Sequence, residues 1–194
     1  TLFRLEENLH LDKKTLVNLR WIAIIGQLIA INFVYFFLEL NLPIIETHII
    51  IFVGFITNII LQFNIRNNQL KDPYSALFLV YDLLQLSILL YLTGGIFNPF
   101  SLLIIIPSIV SSTFLSMGTT IILGTLTIGS LFFLKEHHKI LPSIDVYSFN
   151  FPEYYLEGAL VSIIIGLVFL SYFGIRFSGE TKKRSEALDK LQQV

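Results

Sequence analysis

Residues 77–116 read LFLVYDLLQLSILLYLTGGIFNPFSLLIIIPSIVSSTFLS. Two long apolar runs, Leu77–Thr93 and Ser101–Ser116, are parted by the heptapeptide Gly94-Gly95-Ile96-Phe97-Asn98-Pro99-Phe100. Runs of this length suit a helix that crosses a lipid bilayer, which needs about 20 residues. The heptapeptide has the Gly, Asn and Pro content of a turn.

The same alternation extends along the chain. Six apolar segments can be marked: Arg20–Leu40, Ile44–Phe63, Ser75–Thr93, Phe100–Ser116, Thr119–Leu134 and Leu156–Arg176. The fourth and fifth are short and separated only by Met117 and Gly118, as in a tight helical hairpin. Of the 194 residues 54% are hydrophobic and 14% charged. A soluble domain carries about 25% charge, so there is too little here to coat a water-facing surface. Lipid offers no partner to an unpaired backbone group, and helices satisfy theirs internally. The expected fold is all-α: a polytopic membrane protein, a six-transmembrane-helix bundle with a C-terminal cytoplasmic signalling helix.

Charge sets the expected orientation. Arg4, Lys13, Lys14, Arg20, Arg66, Lys71, Arg176, Lys182, Lys183, Arg184 and Lys190 fall at one set of segment ends, and only Lys135 and Lys139 at the other. Basic residues stay on the cytoplasmic side. Both termini and the loop Asn64–Tyr74 are therefore expected in the cytoplasm, with the heptapeptide and the loop Lys135–Tyr155 opposite. Trp21, Tyr74, Tyr91, Tyr147, Tyr154 and Tyr155 lie near segment boundaries, where amphipathic rings anchor helices. Three regions follow: a cytoplasmic segment 1–19, a six-helix membrane domain 20–176, and 177–194 as the start of a coiled-coil linker.

The composition narrows function. No cysteine is present, which removes disulfides, thiolate metal sites and thiol switches from this segment. A net charge of -1 argues against a nucleic-acid partner. The first 20 residues lack the apolar run of a cleavable signal peptide. A start at Thr1 and an end within a charged helical pattern lead to the expectation of a longer protein.

Asp82 is the only acidic residue deep within a segment, and Gln85 follows on the same face. A carboxylate at such depth costs roughly 2.5–3.5 kcal/mol on insertion scales. No Lys or Arg is expected at matching depth, so Asp82 is read as protonated, or as hydrogen-bonded to Gln27, Asn32, Asn58 or Ser111. Asp82 and Gln85 are either ligand contacts or interhelical glue. In the fourth segment Pro107, beside Ser108, Ser111, Ser112 and Thr113, is read as a kink, static or hinged.

The heptapeptide supports two readings. In one, Gly94 ends a helix in a left-handed cap, Asn98 caps the next helix and Pro99 fills its first turn. That account leaves Gly95, Phe97 and Phe100 unused. In the other, the glycines admit a ligand close to the backbone. Amide groups and the Asn98 side chain bond a carbonyl oxygen, and Phe97 and Phe100 stack on a flat headgroup. A quinone, with a planar ring, two carbonyls and a lipid-soluble tail, has those properties. His137 and His138 are adjacent in the outer loop and lack further His or Cys neighbours there, so they are read as solvated and no metal site is expected. His10 and His48 are isolated. Phe177, Thr181, Arg184, Leu188 and Leu191 alternate at spacings of four and three, a short coiled-coil seam that Gly179 weakens.

Two blocks carry a family resemblance. One is Thr15-Leu16-Val17-Asn18-Leu19-Arg20-Trp21 leading into Gly26-Gln27-Leu28. The other runs from Asp82-Leu83-Leu84-Gln85-Leu86 through Leu89-Leu90-Tyr91-Leu92-Thr93 into the heptapeptide. They resemble the membrane sensor region of RegB/PrrB/ActS-type redox-responsive sensor histidine kinases, whose Gly-Gly-x-x-Asn-Pro-Phe hallmark is complete here. The resemblance covers nearly the whole chain. It implies sensing of ubiquinone and ubiquinol, with quinone contact at Gly94, Gly95, Phe97, Asn98, Pro99 and Phe100. It also implies a homodimer in the bacterial inner membrane, a downstream kinase core using ATP and magnesium, and a cognate response regulator. The chain departs from the family pattern in lacking the phosphoacceptor histidine box, the ATP-binding boxes and the redox-active cysteine. An input module without catalysis of its own is expected. The competing expectation is a small transporter or channel subunit using Asp82 and Gln85.

Overall fold

The computed structural model describes residues 11–37, 39–65, 70–140 and 153–192. Arg4, His10, Arg66 and Tyr147 lie outside the described residues, as do the side chains of Tyr154 and Tyr155.

The chain forms α1 (Lys13–Phe36), α2 (Ile44–Asn64), α3 (Asp72–Leu92), α4 (Ile106–Phe114), α5 (Met117–Glu136) and α6 (Glu153–Gln192). Two 3₁₀ stretches, Gly95–Phe97 and Pro99–Ile105, lie between α3 and α4. Among the described residues five helices are long and apolar enough to cross a membrane, and Pro99–Phe114 is a shorter apolar helix. The 3₁₀ geometry lengthens this short element. It rises about 2.0 Å per residue against 1.5 Å in an α-helix, so Pro99–Phe114 reaches roughly 27 Å.

The distribution of polarity is inverted relative to a soluble protein. Ile22, Phe36, Phe63, Ile121 and Ile165 are exposed, while Thr47, Asn58, Ser75, Ser108, Ser111 and Thr127 are buried. Water would not tolerate that outer face over so large an area, and hydrocarbon does. Inside, hydroxyls tie helices together: Ser108 to Thr127 at 2.9 Å and Ser111 to Thr120 at 3.0 Å, both between α4 and α5. Ser112 and Thr113 instead donate to the Ile109 carbonyl of their own helix. Pro107 sits in the first turn of α4, where the 3₁₀ stretch becomes α-helix. It marks the change from 3₁₀ to α geometry within the Pro99–Phe114 helix.

Successive helices run in opposite directions, which sorts the loops onto two ends. At one end Lys13 donates to the carbonyls of Gln62 and Ile65, and the Ser116 amide donates to Asp72. At the other the heptapeptide meets the end of α5, and Lys135 pairs with Glu157 at 2.5 Å. α6 returns to the first end. Its Gly174 lies directly against Ser112 and Thr113 of α4, so close that a Cβ there would collide with the Ser112 hydroxyl. The helix continues unbroken through Arg176 and Gly179 to Gln192.

Candidate ligand-binding site

A groove of about 460 Å³ opens between α1, α3 and the Pro99–Val110 segment. Pockets of a few hundred Å³ with apolar walls and a few convergent polar groups are typical ligand sites. Its walls are mainly Leu, Ile and Ala, and its polar members fall at three levels: Arg20 with Asp82, Gln27 with Gln85, and Thr93 with Asn98. Along α3, Asp82 to Thr93 covers about 16 Å at 1.5 Å per residue.

The deepest level corrects the sequence expectation. Arg20 does lie at the depth of Asp82: its Nε donates to Asp82 Oδ1 at 2.9 Å. The reason is the true start of α1 at Lys13, which carries Arg20 two turns inside the helix rather than at its mouth. Gln27, Asn32, Asn58 and Ser111 bond elsewhere. Gln27 accepts from Gln85, Asn32 meets Leu28 and His48, Asn58 donates to Val17, and Ser111 meets Thr120. Arg20 Nη2 also donates to Thr57 of α2 at 2.8 Å, and the guanidinium lies over the Phe78 and Tyr81 rings. Its third nitrogen, Nη1, is buried and has no hydrogen-bond partner among the described residues.

One turn above Asp82, the Gln85 amide nitrogen donates to Gln27 Oε1 at 3.2 Å. Gly54 of α2 permits this. A Cβ there would stand 2.6 Å from Gln85 Nε2. This is the close helix approach that small residues allow in membranes.

The outermost level is the heptapeptide. Gly94 is left-handed (φ 103°) and ends α3; Asn98 accepts from the Phe100 amide, and Pro99 begins the following 3₁₀ stretch. Asn98 Nδ2 donates to the Thr93 carbonyl and hydroxyl at 3.1 and 2.8 Å. Gly95 has φ +59°, and a Cβ on it would come within 2.7 Å of His138 and of the Leu134 carbonyl. Packing against α5 thus accounts for the second glycine. Phe97 faces the His138 ring at 5.4 Å, and the Lys139 amide donates to the Tyr91 carbonyl. Asn98 and Phe100 line the groove, while Gly94, Gly95, Phe97 and Pro99 are not among its lining residues.

Along 182 residues, 93% of its length, the chain is 38% identical to sensor histidine kinase RegB of Cereibacter sphaeroides. The chain is a relative of RegB. A second RegB sequence from the same species matches at the same identity over the same length. The chain spans about two fifths of the length of these curated relatives, 39% of each. No protein-family model and no solved structure matches it.

In this RegB relative the groove gathers Asp82, Gln85, Asn98 and Phe100, which were singled out by sequence, with Arg20 and Gln27, which were not assigned to a site. The missed signal was spacing. Arg20 and Gln27 are seven residues apart, two helical turns, and so share one face of α1. Among the described residues no three His, Asp or Glu side chains gather as a metal site would require.

Proposed function

We propose that this chain is the membrane input module of a two-component sensor histidine kinase and that its groove receives the headgroup of ubiquinone or ubiquinol. The observation that carries the reading is the convergence of Asn98 and Phe100 with buried polar side chains in one apolar-walled cavity. A quinone supplies a flat ring with two carbonyl oxygens, reducible by two electrons and two protons. Phe100 offers a half-exposed aromatic face at the mouth, Leu and Ile walls suit an isoprenoid tail, and Arg20 Nη1 is a donor in want of an acceptor. Gly94, Gly95, Phe97 and Pro99 hold the loop that presents Asn98 and Phe100.

The proposed topology has six crossings in the bacterial inner membrane, counting Pro99–Phe114, with Lys13 and the α6 tail in the cytoplasm. Basic residues concentrate at that end of the bundle. The relation to RegB supports a homodimer, a kinase core that uses ATP and magnesium, and a response regulator as partner. In the α6 tail Phe177, Leu188 and Leu191 are exposed, leaving an apolar seam for a second copy.

A ligand can bias a kinase only through unequal affinity for two helix arrangements. The connection available runs from the groove, through Pro107 and Val110, to Ser112 and Thr113 against Gly174, and outward along α6. Asn98→Ala and Phe100→Ala in the full-length protein are expected to uncouple autophosphorylation from added ubiquinone. An unchanged response in both variants refutes the site.

A further inference from the structure

We infer that His138 is a positioning residue for the ligand loop: its imidazole bonds the end of α5 and braces the Gly95–Phe97 turn, which sets Asn98 and Phe100 in the groove. This rests on the quinone reading above and adds a residue that shapes its site.

The two adjacent histidines, read alike as solvated in the sequence, have different surroundings. His137 is exposed, and its ring stacks on Phe133 at 5.1 Å. His138 is half-buried, and its Nδ1 lies 2.9 Å from the Leu134 carbonyl. A carbonyl only accepts, so Nδ1 carries the proton. The local chain explains the bond. α5 ends at Glu136, and its last backbone bond runs from the His137 amide to the Phe133 carbonyl. The Leu134 carbonyl would meet the amide of residue 138 in a continuing helix, but His137 is extended and turns the chain away. The His138 side chain supplies the donor that its own backbone no longer brings. The next residue fixes the segment to α3, because the Lys139 amide donates to the Tyr91 carbonyl at 2.8 Å.

This hydrogen-bonded unit is what Gly95 packs against. A Cβ on Gly95 would lie 2.7 Å from the His138 side chain and equally close to the Leu134 carbonyl. Phe97 faces the same imidazole, with ring centres 5.4 Å apart. Between them Ile96 is buried in the bundle core. Two successive left-handed glycines are intrinsically permissive, so the turn takes its shape from what it touches. His138 meets the residues on both sides of Ile96.

The turn passes that placement on. The Gly95 carbonyl accepts from the Asn98 amide at 3.2 Å, and Asn98 Oδ1 accepts from the Phe100 amide at 2.8 Å. Asn98 and Phe100 line the groove, whereas Gly95 and Phe97 do not. His138 therefore acts on the ligand only through the loop.

The test compares two amides at position 138. Asparagine puts its nitrogen where Nδ1 stands; glutamine carries it one bond further, toward the place of Nε2. Ubiquinone-1 affinity is measured by equilibrium binding to the full-length protein in lipid nanodiscs, with the unfolding temperature of each variant. His138→Gln and His138→Leu are expected to weaken binding about ten-fold, the effect of one lost hydrogen bond. His138→Asn is expected to stay close to wild type, as is His137→Leu. Equal affinities for the Asn and Gln variants overturn the inference, whether both bind or both fail. An order of affinities that merely follows the unfolding temperatures overturns it too, and in each case the quinone reading stands. No saturable binding to wild type overturns both.

Discussion

Arg20 Nε donates to Asp82 Oδ1 at 2.9 Å and ties the first helix to the third inside the apolar zone. The Arg20 side chain is almost wholly buried, and Asp82 reaches the groove with about a quarter of its side chain exposed. Removing one partner of a buried pair strands the other charge, at about 3–5 kcal/mol, whereas replacing both can be nearly neutral. Arg20→Leu and Asp82→Leu are each expected to lower stability by an amount toward the low end of that range. The double variant is expected to recover most of it. Thermal unfolding of the four proteins in one detergent checks this as a double-mutant cycle, and additive losses contradict a direct pair.

Gly95 makes a second prediction that separates packing from ligand contact. Its left-handed backbone disfavours any side chain by about 1–2 kcal/mol. A methyl group there also meets the His138 side chain and the Leu134 carbonyl, one of which is backbone. Gly95→Ala is therefore expected to destabilise the chain, and His138→Ala is expected to rescue it only in part. Full rescue places the whole clash on the imidazole.

At the α4–α6 contact, Gly174→Ala is expected to lower the unfolding temperature and blunt signal output together. Its Cβ would collide with the Ser112 hydroxyl. Trimming that hydroxyl with Ser112→Ala in the same chain is expected to restore both. A loss of output that persists while stability returns shows that the Ser112 hydroxyl itself is required for transmission.

The chain has no cysteine, so single cysteines report topology without background. Lys139→Cys is expected to react with a membrane-impermeant maleimide in spheroplasts, and Lys71→Cys only after lysis. The reverse pattern inverts the proposed orientation.

Local chemistry was readable in the sequence. Gly94 as a left-handed cap, Asn98 as the next cap and Pro99 in the first turn are fixed by neighbours within a few residues, and the structure has all three. Hydropathy located the apolar segments because each long run carries its own signal. What could not be read was pairing across the bundle. Arg20 was placed at a helix mouth because Lys13–Leu19 is polar enough to pass for a loop, yet Leu16 and Val17 are buried there. The second glycine remained unexplained because its neighbours, Leu134 and His138, lie some forty residues away. The 3₁₀ course of Pro99–Ile105 has no periodicity of its own over seven residues, so the change of helix type before Pro107 was not legible.

The central claim is most directly tested by photolabelling the chain in nanodiscs with an azido-ubiquinone and mapping the adducts by mass spectrometry. The account predicts adducts on α1, α3 and Pro99–Phe114, suppressed by excess ubiquinone-1. Adducts confined to the lipid-facing side of α5 or α6, or unaffected by the competitor, contradict it.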